Sequence, residues 1–141
     1  MYSHSRLDNQ AMTAATGVIA LGTAGIVGRL FPGMSGPVTV HGFWATVTVA
    51  FDTADTILTL KRRPTPGSAT GEVTIATMTI PNGAAVGKQY YEIAAAPVKV
   101  FPGEEIAIET DGGTTAGVAA VGVVTTPSWE HPSNNANMIT S

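Results

Sequence analysis

Between residues 43 and 51, Phe43, Ala45, Val47, Val49 and Phe51 alternate with Trp44, Thr46, Thr48 and Ala50. A period of two sends every second side chain to one face, which predicts a half-buried β-strand. The same vocabulary of Val, Ile and Thr recurs as far as residue 125, punctuated by Gly and Pro. Residues 15–21 and 25–31 are short apolar runs that predict two strands, and Phe31-Pro32-Gly33 then opens a breaker-rich loop ending at Pro37. Val38 and Val40 have the opposite parity to Val47 and Val49, so the inward face must switch near His41-Gly42, as a β-bulge would make it do.

Past the turn Asp52-Thr53-Ala54-Asp55, residues 57–62 predict a strand with Leu58 and Leu60 inward, forming a hairpin with its predecessor. Residues 63–71 carry Pro64 and Pro66, which bar a regular ladder and predict an exposed loop suited to contacts. Residues 72–80 read as a strand with a parity slip near Ala76-Thr77, stopped by Pro81-Asn82-Gly83. Residues 89–94 form another, with Tyr90 and Tyr91 on opposite sides. Val98 and Val100 lead through Phe101-Pro102-Gly103 to Ile106 and Ile108, two strands joined at a tight corner, and Asp111-Gly112-Gly113 turns the chain again. Residues 117–125 are almost continuously apolar, the pattern of a strand buried on both faces or packed into an interface.

About eight short strands at a spacing of roughly 8–12 residues, without helical periodicity, predict an all-β chain folded as an antiparallel β-sandwich. The strand count favours a jelly roll over an immunoglobulin-like topology. The expected organisation is an N-terminal arm (1–13), a sandwich domain (14–125) and a C-terminal tail (126–141).

A chain of 141 residues can bury one sizeable core, and with no cysteine its stability must come from packing or assembly rather than disulfides. Charged residues make up only 12% of it, and the net charge is −3. Soluble domains average about 25% charged residues, so this bland exterior is what other subunits would cover. The apolar stretch 14–30 is interrupted by Thr16, Thr23, glycines and Arg29, whereas a membrane-spanning helix takes about 20 mostly apolar residues. No membrane partner is expected, and residues 1–10, with Arg6 balanced by Asp8, do not read as a signal peptide.

Candidate chemistry is sparse. The segment around Asp52-Thr53-Ala54-Asp55 is similar to the Asp-Thr-Gly-Ala turn of retroviral-type aspartic proteases, in which two carboxylates share a proton. Here Ala54 stands in place of the glycine, and the good hydrophobic-hydrophobic-Gly match, Ile26-Val27-Gly28, precedes the turn instead of following it. The competing expectation is a turn in which Asp52 and Asp55 cap backbone amides, with no catalytic residue and no enzymatic activity. Gly22, Gly25 and Gly28 lack the Lys-Ser or Lys-Thr of a phosphate loop, and His4, His41 and His131 lack the close spacing of paired metal ligands.

Glu104, Glu105, Glu109 and Asp111 cluster at one corner. Calcium takes about six to eight hard oxygens, and their spacing matches no known loop, so a solvated strand edge is expected and neither a metal nor another cofactor. Lys61, Arg62 and Arg63 form one basic run without interleaved aromatics, which argues against nucleic acid and for pairing with a carboxylate on a neighbouring subunit. Trp44 has outward parity and could stack on a sugar, yet one aromatic makes no platform.

The polar start (1–13), the Ala/Thr/Gly/Val strands, the Val98-Lys99-Val100-Phe101-Pro102-Gly103-Glu104 corner, the 117–125 strand and the Asn/Ser-rich end together resemble, in plan, the small decoration or cement proteins of tailed-bacteriophage heads. The resemblance implies a structural subunit on the outer capsid surface of a virion, clamping major capsid protein subunits and carrying no catalytic residues. A homo-oligomer is expected, a trimer before a dimer, because a sandwich with an apolar terminal strand can close a ring. Attachment would fall to Tyr2, Arg6 and Leu7 in the arm and to Trp129, His131 and Ile139 in the tail, each an anchor or a charge on an otherwise aperiodic segment. The alternatives are another phage structural subunit, such as a head-fibre base or tail component, and a carbohydrate-binding β-sandwich module.

Overall fold

Alternating apolar positions become eight strands in the computed structural model, which describes residues 12–128. They are β1 (Met12–Ala20), β2 (Gly25–Leu30), β3 (Val38–Val49), β4 (Thr56–Arg63), β5 (Val73–Ile80), β6 (Gln89–Val100), β7 (Glu105–Thr110) and β8 (Val118–Pro127). Two four-stranded sheets, ordered β1-β8-β3-β6 and β2-β7-β4-β5, face each other, and every ladder is antiparallel. This is the expected sandwich with the strand order of a jelly roll.

Successive strands change sheets at every connection except β4–β5. The hairpin expected between residues 43–51 and 57–62 therefore does not form. Both edges of β3 are already occupied, by β6 and β8, so the Asp52-to-Asp55 turn carries the chain across the sandwich instead. The intrasheet hairpin is β4–β5, closed by the proline-bearing loop.

The parity switch lies where the sequence places it. Val38 and Val40 are buried, then Phe43, Ala45 and Val47. The register slips between Val40 and Gly42 in both ladders of β3, so one bulge turns the whole strand over. On the β6 side the same slip absorbs residues 94–97, because Ile93 pairs with Gly42 and Val98 with Val40. The two runs flanking it are one strand.

Phe43, Leu58, Leu60, Met78, Ile80, Ile106, Ile108, Val121 and Val123 meet between the sheets with almost no exposure. Strand β8 lies between β1 and β3, and its inward residues Ala119, Val121, Val123 and Thr125 are buried. Its outward residues Val118, Ala120, Val124 and Thr126 are only half-buried. The continuous apolar run thus does not mark burial on both faces.

The chain enters and leaves at one end of the first sheet. Met12 pairs with Thr125, and beyond β8 the Ser128 N–H donates to the Pro37 carbonyl at 2.9 Å. The connections 21–24, 50–55, 81–88 and 111–117 gather at the opposite end.

Candidate functional site on a sparsely charged sheet face

The two sheets divide the charge unequally. Strands β2, β4 and β7 carry Arg29, Lys61, Arg62, Arg63, Glu105 and Glu109, whereas the first sheet carries only Glu92 and Lys99, both on β6. The basic run does not await a neighbour's carboxylate, as the sequence suggests. Lys61 bridges Glu72 (2.9 Å) and Glu109 (2.7 Å), Arg63 reaches Glu72 (3.1 Å), and Arg62 makes a two-pronged contact with Glu104 at 2.9 and 2.7 Å. Arg29 pairs with the buried Glu105, whose other oxygen accepts from the Gly67 N–H. Antiparallel register brings these residues together from four separate segments, which sequence spacing cannot show.

The carboxylates are therefore occupied. The Arg62 guanidinium holds Glu104 below the ordinary carboxylate value, helped by the Phe101 N–H. Burial pushes Glu105 up, but Arg29 and the Gly67 amide outweigh it and the net shift is downward. Lys61 is raised by Glu109 and Glu72. Asp111 accepts from the Ile57 and Gly113 amides. Among the described residues no group of three His, Asp or Glu side chains is arranged to hold a metal ion.

Asp52 and Asp55 cap amides, as the turn reading expects. One Asp52 oxygen accepts from the Ala116 and Thr115 amides (each 2.9 Å) and from the Thr114 hydroxyl (2.8 Å), and these bonds hold the carboxyl below its usual value. Asp55 accepts from the Asn82 N–H at 2.8 Å. Between them Thr53 has φ 74°, and the Ala54 N–H reaches back to the Asp52 carbonyl at 2.8 Å. That is a γ-turn with positive φ, a strained form for a β-branched residue. The aspartates tie the connections 50–55, 81–88 and 111–117 together.

The outer face of the first sheet is different in kind. Cross-strand register lines up Ala15, Gly122, Trp44 and Tyr91 in one row and Val18, Ala120, Thr46 and Gln89 in the next. Val18 is 63% exposed, Ile93 69% and Tyr91 49%. A side-chain carbon on Gly122 would collide with the Trp44 indole, and one on Gly42 would meet the Tyr91 hydroxyl oxygen at 2.7 Å. Each ring thus leans across the sheet over a glycine of the adjacent strand. Trp44, Thr46, Gln89, Tyr90 and Tyr91 line a cleft of about 590 Å³.

Sequence reasoning identified Trp44 as outward but alone. It also placed Tyr90 and Tyr91 on opposite sides, and Tyr90 packs against the core while Tyr91 faces out. What it missed was that Tyr91 is the direct cross-strand partner of Trp44. The attachment candidates Tyr2, Arg6, Leu7, Trp129, His131 and Ile139 all lie outside the described residues.

No family model matches the chain, and no curated protein matches it. Among solved structures it is similar to the CBM22-1 and GH10 modules of Clostridium thermocellum endo-1,4-β-D-xylanase 10B complexed with xylohexaose. There the identity is 14% and the TM-score 0.44, over 87% of this chain and 27% of that one. It is also similar to a chain of infectious bursal disease virus, Gx strain, at 12% identity and TM-score 0.37, over 87% of this chain and 33% of that one. A third likeness, to an aminopeptidase from a marine-sediment Thaumarchaeota archaeon, has 8% identity and TM-score 0.33, over 89% of this chain and 27% of that one. The chain spans a third or less of each of these. The likenesses are weak and concern the β-sandwich fold.

Proposed function

We propose that the chain is a structural virion protein that decorates the outer surface of a bacteriophage capsid and cements neighbouring major capsid protein subunits. The observation that supports this most directly is the convergence of its two ends. The chain on either side of the sandwich departs from adjacent strands at one end of one sheet, where Met12 lies against Thr125 and Ser128 against Pro37. Two segments leaving from one point can engage two neighbouring subunits of a shell, and weak contacts made together gain avidity. Strands β1 and β8, which carry no charged residue, fit a surface that meets other copies of the chain, a homotrimer being the closed ring we favour. The role is mechanical and non-enzymatic, with Asp52 serving the loops.

Quantitative mass spectrometry on purified virus-like particles from the source culture tests this, counting copies of the chain against the major shell protein. A simple whole-number or fractional ratio is expected. Absence from particles overturns the reading.

A further inference from the structure

The cleft on the first sheet has a chemistry that capsid attachment does not require. Trp44 and Tyr91 pair across the β3–β6 ladder on its outer side, and Thr46 and Gln89 pair directly beside them. The cleft therefore presents the Trp44 and Tyr91 rings, with Tyr90 also in its lining, next to the Thr46 hydroxyl and the Gln89 amide, and no charged side chain is among its described lining residues. It is an open cleft of about 590 Å³, within the size range of small-molecule sites. Gly122 and Gly42 matter to this shape. Their missing side chains let the two rings lean over the sheet instead of standing away from it.

We propose that this cleft binds a neutral glycan chain. The C–H faces of a pyranose match exposed aromatic rings, and the Thr46 hydroxyl and Gln89 amide can each donate to and accept from sugar hydroxyls. An acidic sugar or a phosphate finds no cation among the described lining residues. The cleft also sits toward the end of the sheet away from Met12 and Thr125, because β3 runs from Val38 beside Pro127 up to Val49 beside Val118. The inference does not depend on the capsid reading, since it concerns the isolated chain.

The test is affinity electrophoresis of the full chain through gels containing xylan, mannan, mixed-linkage β-glucan or dextran, with alginate as the acidic counter-probe. At least one neutral polymer is expected to retard the chain. Tyr91→Ala, at a half-exposed side chain, should weaken that retardation by about tenfold or more, equivalent to ~1.4 kcal/mol. Gln89→Ala should weaken it in the same direction, with the β-rich circular dichroism spectrum unchanged for both. Retardation by alginate alone, by no polymer, or undiminished in both variants overturns the proposal. Particle stoichiometry is read separately, so either result leaves the capsid reading to its own test.

Discussion

The Thr114 hydroxyl and Asp52 exchange two hydrogen bonds: the hydroxyl donates to the Asp52 carboxylate at 2.8 Å and accepts from the Asp52 N–H at 3.1 Å. The same oxygen accepts from the Gly117 N–H at 2.9 Å, so a single buried hydroxyl spends its one proton and both lone pairs. Thr114→Val keeps the shape and removes all three bonds, leaving the buried Gly117 N–H without its partner. A loss of about 1–3 kcal/mol is expected, read as a lower urea midpoint at unchanged slope. Thr114→Ser should restore most of it.

Trp44 fills the space above Gly122, which a side-chain carbon would need. Gly122→Ala should therefore push the indole off the sheet at a cost of about 1–3 kcal/mol, the usual range for an overpacked site. The chain has two tryptophans, so in a Trp129→Phe background the emission reports Trp44 alone. A shift in emission together with a lower midpoint is expected. An unshifted spectrum would show that the indole does not rest there.

Much of the strand plan was legible because parity is local. The switch at His41-Gly42 is visible as valines moving from even to odd positions, and burial follows it from Val38 to Val47, whereas Val49, past a second register slip, is exposed. Which sheet a strand joins is not local. The Asp52-to-Asp55 turn has hairpin chemistry, yet β4 joins the other sheet because β6 and β8 flank β3. Residues more than 40 positions apart settle that. The Trp44–Tyr91 pair was hidden for the same reason: it depends on how many residues the bulge in β6 absorbs. The basic run at Lys61, Arg62 and Arg63 was visible, but its partners Glu72, Glu104 and Glu109 sit on two separate loops and another strand.

Acid should loosen the charged sheet. Glu104, held down by Arg62, and Glu105, held down by Arg29 against its own burial, both titrate below the reference value of 4.5 in the folded chain. A depressed folded value means that the stabilisation is complete above the unfolded value and is lost as pH falls through the folded one. Stability should thus be flat from neutral pH down to about 4.5 for these groups and decline below it. Glu104→Gln should lower the thermal midpoint at neutral pH and flatten the acid decline, because less remains to be lost. An equally steep decline in that variant would assign the acid sensitivity elsewhere.

Because β1 begins at Met12, residues 1–11 can be removed without shortening a described strand. The described core, from Leu21 to Val123, lies within strands and loops that this deletion leaves intact, so the circular dichroism spectrum and thermal midpoint should stay close to those of the full chain. If attachment uses both departing segments, each contributes part of the binding free energy, and losing one converts a linked pair of contacts into a single weak one. Occupancy on purified particles should then fall by about a hundredfold or more at fixed concentration, the scale of a lost avidity term. Removing residues 129–141 should produce a loss of the same kind. Occupancy that survives both deletions would shift attachment to the sandwich itself, and to the sparsely charged sheet of β1, β8, β3 and β6 first, because the opposite sheet has already matched its charges internally.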